Sequence, residues 1–383
     1  MEVIVLAGGL GTRLRSVVND IPKCMAPIGG RPFLGYLLDW LQMYPVKHVV
    51  FSIGFLGEQV KEYVEAGKWS FTYDFAIETQ PLGTGGGIRL ALTYCKEEVV
   101  HVVNGDTFFP VNLADMPSSA PITVALKPMR QFSRYGAVEL EGTRIKAFRE
   151  KQYCEEGLIN GGIYAIRPAD ISLDILPQRF SFESEVLEPG AAIGAINGWE
   201  TDSYFIDIGI PEDYSRAGGE LPLWFRVQKA SSAAIASKAQ VLFLDRDGVI
   251  NRLLPGDYVK KWDEFHFIPG IKEALAIWNK RFKSIVLVTN QRGVGKGLMS
   301  DADLSRIHAR MMTEIMDAGG RIDLILTCTA LSDEDPRRKP NVGMFLEACQ
   351  LLPGLKPEDC IMIGDTPSDA AFAVNCGMQF ILL

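Results

Sequence analysis

The strongest constraint on this chain is a rhythm of buried strand and amphipathic helix that runs twice. The first run uses "EVIVLA" (2–7), "HVVFSI" (48–53), "FTYDFAI" (71–77) and "EVVHVVN" (98–104), with helical patterns over 33–43, 57–65 and 86–94. Short apolar runs alternating with 3.6-residue periodicity predict a mainly parallel sheet with helices on both faces. After residue 120 strand-like segments follow one another ("PITVALK", "YGAVEL", "RIKAFRE", "NGGIYAI"), which predicts an antiparallel addition to that sheet. The second run starts at "VLFLD" (241–245) and continues through "SIVLVTN" (284–290), "DLILTC" (323–328), "DCIMIGD" (359–365) and "MQFILL" (378–383). Between the runs, "KASSAAIASKAQ" (229–240) is small and weakly patterned. The fold class is therefore α/β with two domains, 1–228 and 240–383, joined by a linker or linking helix at 229–239. The 383 residues agree, because single cores rarely grow past about 250–300 residues.

Composition narrows the function. A net charge of −8 argues against nucleic acid or an anionic membrane as the main partner. The seven cysteines form no C-x-x-C or C-x-C pair, which predicts free thiols in a reducing compartment. No apolar run reaches the length of a membrane span, and the first ten residues carry no basic leader. A cytoplasmic enzyme acting on small molecules is the plain expectation.

The first strand runs into "AGGLGTR" (7–13). Such turns let backbone N–H groups approach phosphate. This one fits neither common template: no Lys-Ser or Lys-Thr follows the glycines, and the last glycine of G-x-G-x-x-G would fall on Leu14. Arg13 and Lys23 add two cations, a combination suited to a triphosphate. The glycines of "ETQPLGTGGG" (78–87) let backbone lie against a base or sugar. Asp106 in "VNGDTFF" and Asp207 in "YFIDIGIPEDY" end apolar runs, where open α/β sheets bind ligands, and two carboxylates with phosphate oxygens make a magnesium site. Taken singly, such a turn is often only a turn, and a strand-ending aspartate often only a helix cap.

The ordered set "LAGGLGTRL…PKCMAPIGGRPFL…PLGTGGG…NGDTF…FREK…NGGIYAI…FIDIGIPEDY" resembles the sugar-phosphate nucleotidylyltransferases over residues 1–217, and within them the D-glycero-D-manno-heptose 1-phosphate guanylyltransferases. The resemblance implies a Rossmann-like mixed sheet. It places the triphosphate on Gly8, Gly9, Gly11, Thr12, Arg13 and Lys23, with Arg13 and Lys23 acting in catalysis. It puts the base near Glu78, Pro81, Gly83 and Thr84, and the sugar phosphate near Glu150, Lys151, Asn160 and Gly161. Asp106 and Asp207 would hold Mg²⁺. Cys24 stands where the family commonly has proline.

The second half opens with D-x-D-G in "FLDRDGVIN" (243–251). Asp245 at a strand tip can attack phosphorus, and Asp247 can serve the leaving group as acid and water as base. Thr289 and Asn290 end a later strand, Lys339 in "RRKPN" is a neutralising cation, and "IGDTPSD" offers Asp365 to a metal with Asp369 in support. "GVGKG" (293–297) looks slightly like a P-loop, but Gly297 stands where Ser or Thr is required. The quartet, with "GDYV", "FHFIPG" and "TNQRGVGKG", resembles the haloacid-dehalogenase superfamily, closest to its histidinol-phosphate and heptose-bisphosphate phosphatase branch, over 240–383. That implies a parallel sheet without a large cap. Asp245, Asp247, Lys339 and Thr289 would act in catalysis, and Asp245, Asp247 and Asp365 would hold Mg²⁺. Asn290, Gln291, Arg292 and Arg338 would contact substrate. The branch often carries a zinc loop, but "TCTALSDEDPRRKP" keeps only Cys328, so no zinc is expected.

Among the four histidines, the patterns put His48 and His101 in the core and His308 on the surface, with His266 of "FHFIPG" more often structural than ligand-binding. The two resemblances together imply a bifunctional enzyme of GDP-D-glycero-α-D-manno-heptose synthesis that uses GTP and heptose phosphates, with a homo-oligomer left open. Three alternatives stay open: another sugar 1-phosphate or nucleotide, a phosphatase for histidinol phosphate, or one silent regulatory domain.

Overall fold

Val3, Ile4 and Val5 are fully buried because the strand Glu2–Leu6 has a parallel partner on each side, His48–Ile53 and Val100–Asn104. A computed structural model describes residues 1–9 and 20–383 and divides the chain into two units, Met1–Gly219 and Glu220–Leu383. The first unit is built on a nine-stranded mixed sheet. Its order is Thr72–Ile77, His48–Ile53, Glu2–Leu6, Val100–Asn104, Cys154–Ile166, Ile122–Phe132, Ile196–Glu200, Arg144–Lys151, Gly136–Glu141. The first four run parallel; Cys154–Ile166 then joins antiparallel to both neighbours. Its register slips between Asn160 and Tyr164, a bulge that contains Gly161 and Gly162.

The glycine block 83–87, expected to let backbone lie against a base or sugar, opens a helix and forms the first turns of Gly83–Leu92. A Cβ on Gly83 would lie 2.4 Å from the Phe180 carbonyl oxygen, and one on Gly85 would lie 2.1 Å from the Phe180 ring. The glycines let this helix start tight against residues 178–180.

The second unit has a five-stranded, wholly parallel sheet ordered Leu324–Cys328, Ser284–Asn290, Val241–Leu244, Cys360–Gly364, Gln379–Leu382. Helices cover both faces, so the central strand is buried throughout. Leu242 and Leu244 pack in one apolar layer with Leu275, Trp278 and Met311; Phe243 packs in the other with Met362 and Phe372. The helices Asp301–Asp317 and Pro367–Cys376 each begin with a capping box, Ser300 with Asp303 and Thr366 with Asp369.

A 26-residue helix, Pro211–Ala236, spans the division between the units. Its later small residues, Ala230 and Ala234, are buried with Val227 in the core of the second unit. Residues 229–236, expected as a linker or linking helix, are helix, and their small side chains reflect close packing. No helix among the described residues is long and apolar enough to cross a membrane.

Candidate active sites

In the first unit the sheet delivers Asp106 just past the strand Val100–Asn104. Two short strands then pair antiparallel, with Thr107 opposite Asp207. The Ile208 N–H donates to the Asp106 carbonyl at 3.0 Å. That pairing brings the two carboxylates together, and Lys23 bridges them: its Nζ lies 2.5 Å from Asp106 Oδ2 and 3.3 Å from Asp207 Oδ1. Lys23, expected against triphosphate, is here the counterion of the carboxylates. Burial and then the nearby Asp106 charge raise the Asp207 carboxyl above its ordinary range, against the pull of Lys23.

Tyr135 donates to Asp207 Oδ2 at 3.4 Å. Burial and the Asp207 charge push its phenol up to about 12, so it stays a donor. Arg134 in turn donates to the Tyr135 oxygen and pairs with Asp213. Neither residue stands out in the sequence, where "SRYG" is an ordinary polar turn.

Gly8 faces Glu78: a Cβ there would lie 3.1 Å from Glu78 Oε1. The Glu78 carboxylate accepts from the Leu82 N–H at 2.9 Å and from Ser52 Oγ at 3.3 Å, and burial raises its pKa. Gly9 is exposed and open on its Cβ side. Gly11, Thr12 and Arg13 lie outside the described residues. Pro81 and Gly83 are exposed. Thr84 spends its hydroxyl on the protein, donating to Glu183 at 2.6 Å and accepting from the Phe182 N–H at 2.9 Å. Glu150 and Lys151 are exposed at the end of the strand Arg144–Lys151. Asn160 bonds Tyr164 and the Gly162 N–H, and a Cβ on Gly161 would lie 2.5 Å from the Phe109 ring.

The second unit gathers its carboxylates more tightly. Asp245 follows the central strand; Lys339 Nζ lies 2.8 Å from its Oδ1 and 2.6 Å from Asp369 Oδ1. Asp369 gives its other oxygen to Thr366. Oxygens of Asp245, Asp365 and Asp369 lie within 4.8 Å of one another. Asp365 Oδ1 is buried with no partner among the described residues, which suits a cation ligand. Gly248, at φ +90°, admits this approach, since a Cβ would lie 2.0 Å from Asp365 Oδ2. Burial, opposed by Lys339 and reinforced by Asp369 and Asp247, pushes the Asp245 carboxyl up to about 7; burial and Asp369 push Asp365 up to about 6.

Asp247 has the opposite character. Burial alone would raise its pKa, but its donors outweigh that and hold it below its ordinary value. Arg246 Nη2 lies 2.9 Å from both of its oxygens, Asn251 Nδ2 2.9 Å from Oδ1 and Gln291 Nε2 2.7 Å from Oδ2. With both oxygens so engaged, its carboxylate stands apart from the cluster of Asp245, Asp365 and Asp369. Gln291 also donates to Thr289 Oγ1 at 2.8 Å.

Several residues expected to face substrate are engaged within the protein. Asn290 and the Lys339 backbone exchange two hydrogen bonds of 3.1 Å, which fixes the lysine. Arg292 and Arg338 converge on Asp333, at 2.5 and 2.8 Å. His266 is exposed and His48 only partly buried, lying between Glu2 and Asp74. His308 corrects the expectation of a surface residue. It is buried, with Nε2 3.2 Å from Arg246 Nη1. It lies on the stripe of Leu304, Met311 and Ile315, a helical spacing that was legible in the sequence.

Comparison with known proteins also finds two families, whose matches overlap over 192–219. The nucleotidyl transferase family matches residues 2–219, and the haloacid dehalogenase-like hydrolase family matches 192–377. The chain is 44% identical over 226 residues to a D-glycero-alpha-D-manno-heptose 1-phosphate guanylyltransferase of Aneurinibacillus thermoaerophilus, covering 58% of this chain and 98% of that protein. It is 42% identical over 135 residues to a D-glycero-alpha-D-manno-heptose-1,7-bisphosphate 7-phosphatase of Mycobacterium tuberculosis, covering 35% of this chain and 71% of that protein. Among solved structures, HddC from Yersinia pseudotuberculosis complexed with GMP-PN aligns with a TM-score of 0.52 at 35% identity, covering 57% of this chain and 97% of that one. The chain belongs to the nucleotidyl transferase family through its first unit and to the haloacid dehalogenase-like hydrolases through its second.

Proposed function

We propose that the chain performs two successive steps of nucleotide-activated heptose synthesis in the cytoplasm. The second unit hydrolyses the 7-phosphate of D-glycero-α-D-manno-heptose 1,7-bisphosphate. The first transfers GMP from GTP to the resulting heptose 1-phosphate and releases pyrophosphate. The observation that carries this reading is the fusion itself: relatives of the two halves are named for steps in which one product is the other's substrate.

In the second unit an Asp245 oxygen attacks phosphorus and the ester P–O bond breaks, with the leaving oxygen taking a proton from Asp247. Water then attacks the aspartyl phosphate and gives a proton to Asp247, which frees phosphate and Asp245. The donors around Asp247 keep it ionised in the free protein, so the first proton arrives with the substrate, whose second ionisation lies near pH 6. Lys339 offsets the growing charge, fixed by Asp369 and Asn290. The oxygens of Asp245 and Asp365 suit Mg²⁺, which would neutralise charge on the phosphoryl oxygens.

In the first unit the nucleophile is a phosphate oxygen, already an anion, so alignment and charge neutralisation suffice without a general base. Asp106 and Asp207 would hold Mg²⁺, and Lys23, released from them, would turn to the phosphates. Gly8 and Glu78 would border the nucleotide, and Glu150, Lys151, Asn160 and Gly161 the sugar phosphate.

One incubation tests the whole reading: protein, magnesium and heptose 1,7-bisphosphate with each nucleoside triphosphate in turn, products identified by mass. A nucleotide heptose with GTP alone is expected. No nucleotide sugar with any triphosphate would reject the proposal.

A further inference from the structure

Asp247 must present one oxygen to two successive partners, the leaving group and then water. What aims it is therefore part of the chemistry. Arg246 is the donor that contacts both Asp247 oxygens, and it is fully buried. A buried guanidinium needs partners of its own. Its Nε has none among the described residues, and its Nη1 is directed at His308 Nε2 at 3.2 Å. Arginine cannot accept a hydrogen bond, so His308 must accept, with its proton on Nδ1. Burial and then the Arg246 charge lower the His308 pKa to about 4, which keeps this acceptor available at neutral pH. His308 lies on the helix Asp301–Asp317, outside the strand-end loops that carry Asp245, Asp247 and Asp365.

We propose that His308 is a positioning residue for the phosphatase step: it accepts from Arg246 and thereby fixes the face that Arg246 presents to Asp247. The assignment rests on the reading of Asp247 as acid and base. A stabilising role alone would leave the balance between substrates untouched, whereas an aiming role affects most those esters that need a proton on the leaving oxygen. An alkyl phosphate needs that proton; p-nitrophenyl phosphate, whose leaving group is already a good one, needs it little.

The test compares kcat/KM, which reports steps up to departure of the leaving group, for both esters in the full chain. H308L should lower it roughly tenfold or more for the sugar bisphosphate and less than about threefold for p-nitrophenyl phosphate, within the range a general acid supplies. H308Q, which keeps an acceptor, should restore most of the loss. Equal losses on the two esters, or none, would overturn the assignment and leave the phosphatase reading standing. A wild-type protein inert towards both esters would remove the phosphatase reading and this assignment with it. Should H308L fail to fold, ¹⁵N NMR of the wild-type imidazoles decides, since the chain has only four histidines. An Nδ1–H tautomer at His308 is expected, and an Nε2–H tautomer overturns the assignment.

Discussion

Two carboxylate centres occupy one chain, built to different standards of enclosure. In the first unit a single lysine spans Asp106 and Asp207, which keep side-chain exposures of 36% and 25%. In the second, Asp245 and Asp369 are buried around Lys339, Asp247 keeps 23% side-chain exposure but is gripped by the fully buried Arg246, and nearly every oxygen of the three has a named donor. The chemistry proposed for each explains the contrast. Joining two phosphates that are already ionised calls for counter-charge and alignment, which mobile groups and solvent can share. Forming a bond from the protein's own carboxylate requires that carboxylate to be desolvated and aimed beforehand.

The contrast can be broken most sharply at Asp245. D245N should remove phosphate release by at least about 10³-fold, the scale seen when a nucleophile is lost. Pyrophosphate release from supplied heptose 1-phosphate and GTP should stay near wild type; loss of both would mean that the centres are not independent. The reciprocal change, K23A, should slow nucleotidyl transfer by about 10²-fold, comparable to removing one preorganised charge donor. Phosphate release serves as its control, and unaltered transfer would reduce Lys23 to a structural counterion.

G248A tests enclosure itself. Its Cβ would meet Asp365 Oδ2 at 2.0 Å from a backbone at φ +90°, a strain of about 1–3 kcal/mol. Phosphatase activity should fall by roughly tenfold, with a smaller stabilisation by magnesium in thermal melts. The smallest effect is in pH. Asp245 and Asp365 are raised to about 7 and 6. Without metal, the folded state therefore binds more protons than the unfolded one, from the ordinary carboxylate range up to about pH 7. Stability should fall as pH rises through that window. Magnesium replaces those protons, so the Tm gain on adding it should grow from pH 5 to pH 8. A gain independent of pH would show that the ion binds elsewhere.

Much of this architecture is legible in the sequence because strand-end aspartates follow apolar runs that only a buried parallel strand explains. Asp245 after "VLFL" and Asp365 after "CIMIG" are the clearest cases. Less legible is which polar groups near the centres face outward. Asn290, Arg292 and Thr84 have the chemistry to touch a ligand, yet each is engaged by a partner distant in sequence, Lys339, Asp333 and Glu183, while Arg338 joins Arg292 on Asp333. Such pairings depend on tertiary geometry that local pattern does not encode. The packing of the glycines at 83–87 is hidden from local pattern for the same reason, since the Phe180 backbone and ring they admit lie far along the chain. His308 was a different kind of miss: it was expected on the surface because its helix is polar, although the spacing of Leu304, His308, Met311 and Ile315 marks one buried face.

The helix Pro211–Ala236 has a practical consequence for anyone separating the two activities. Excising the hydrolase at residue 240, where its first strand-forming run suggests a start, would strip away Val227, Ala230 and Ala234 and bare the hydrophobic floor they cover. A self-sufficient hydrolase fragment must begin near Glu220 and carry most of that helix with it.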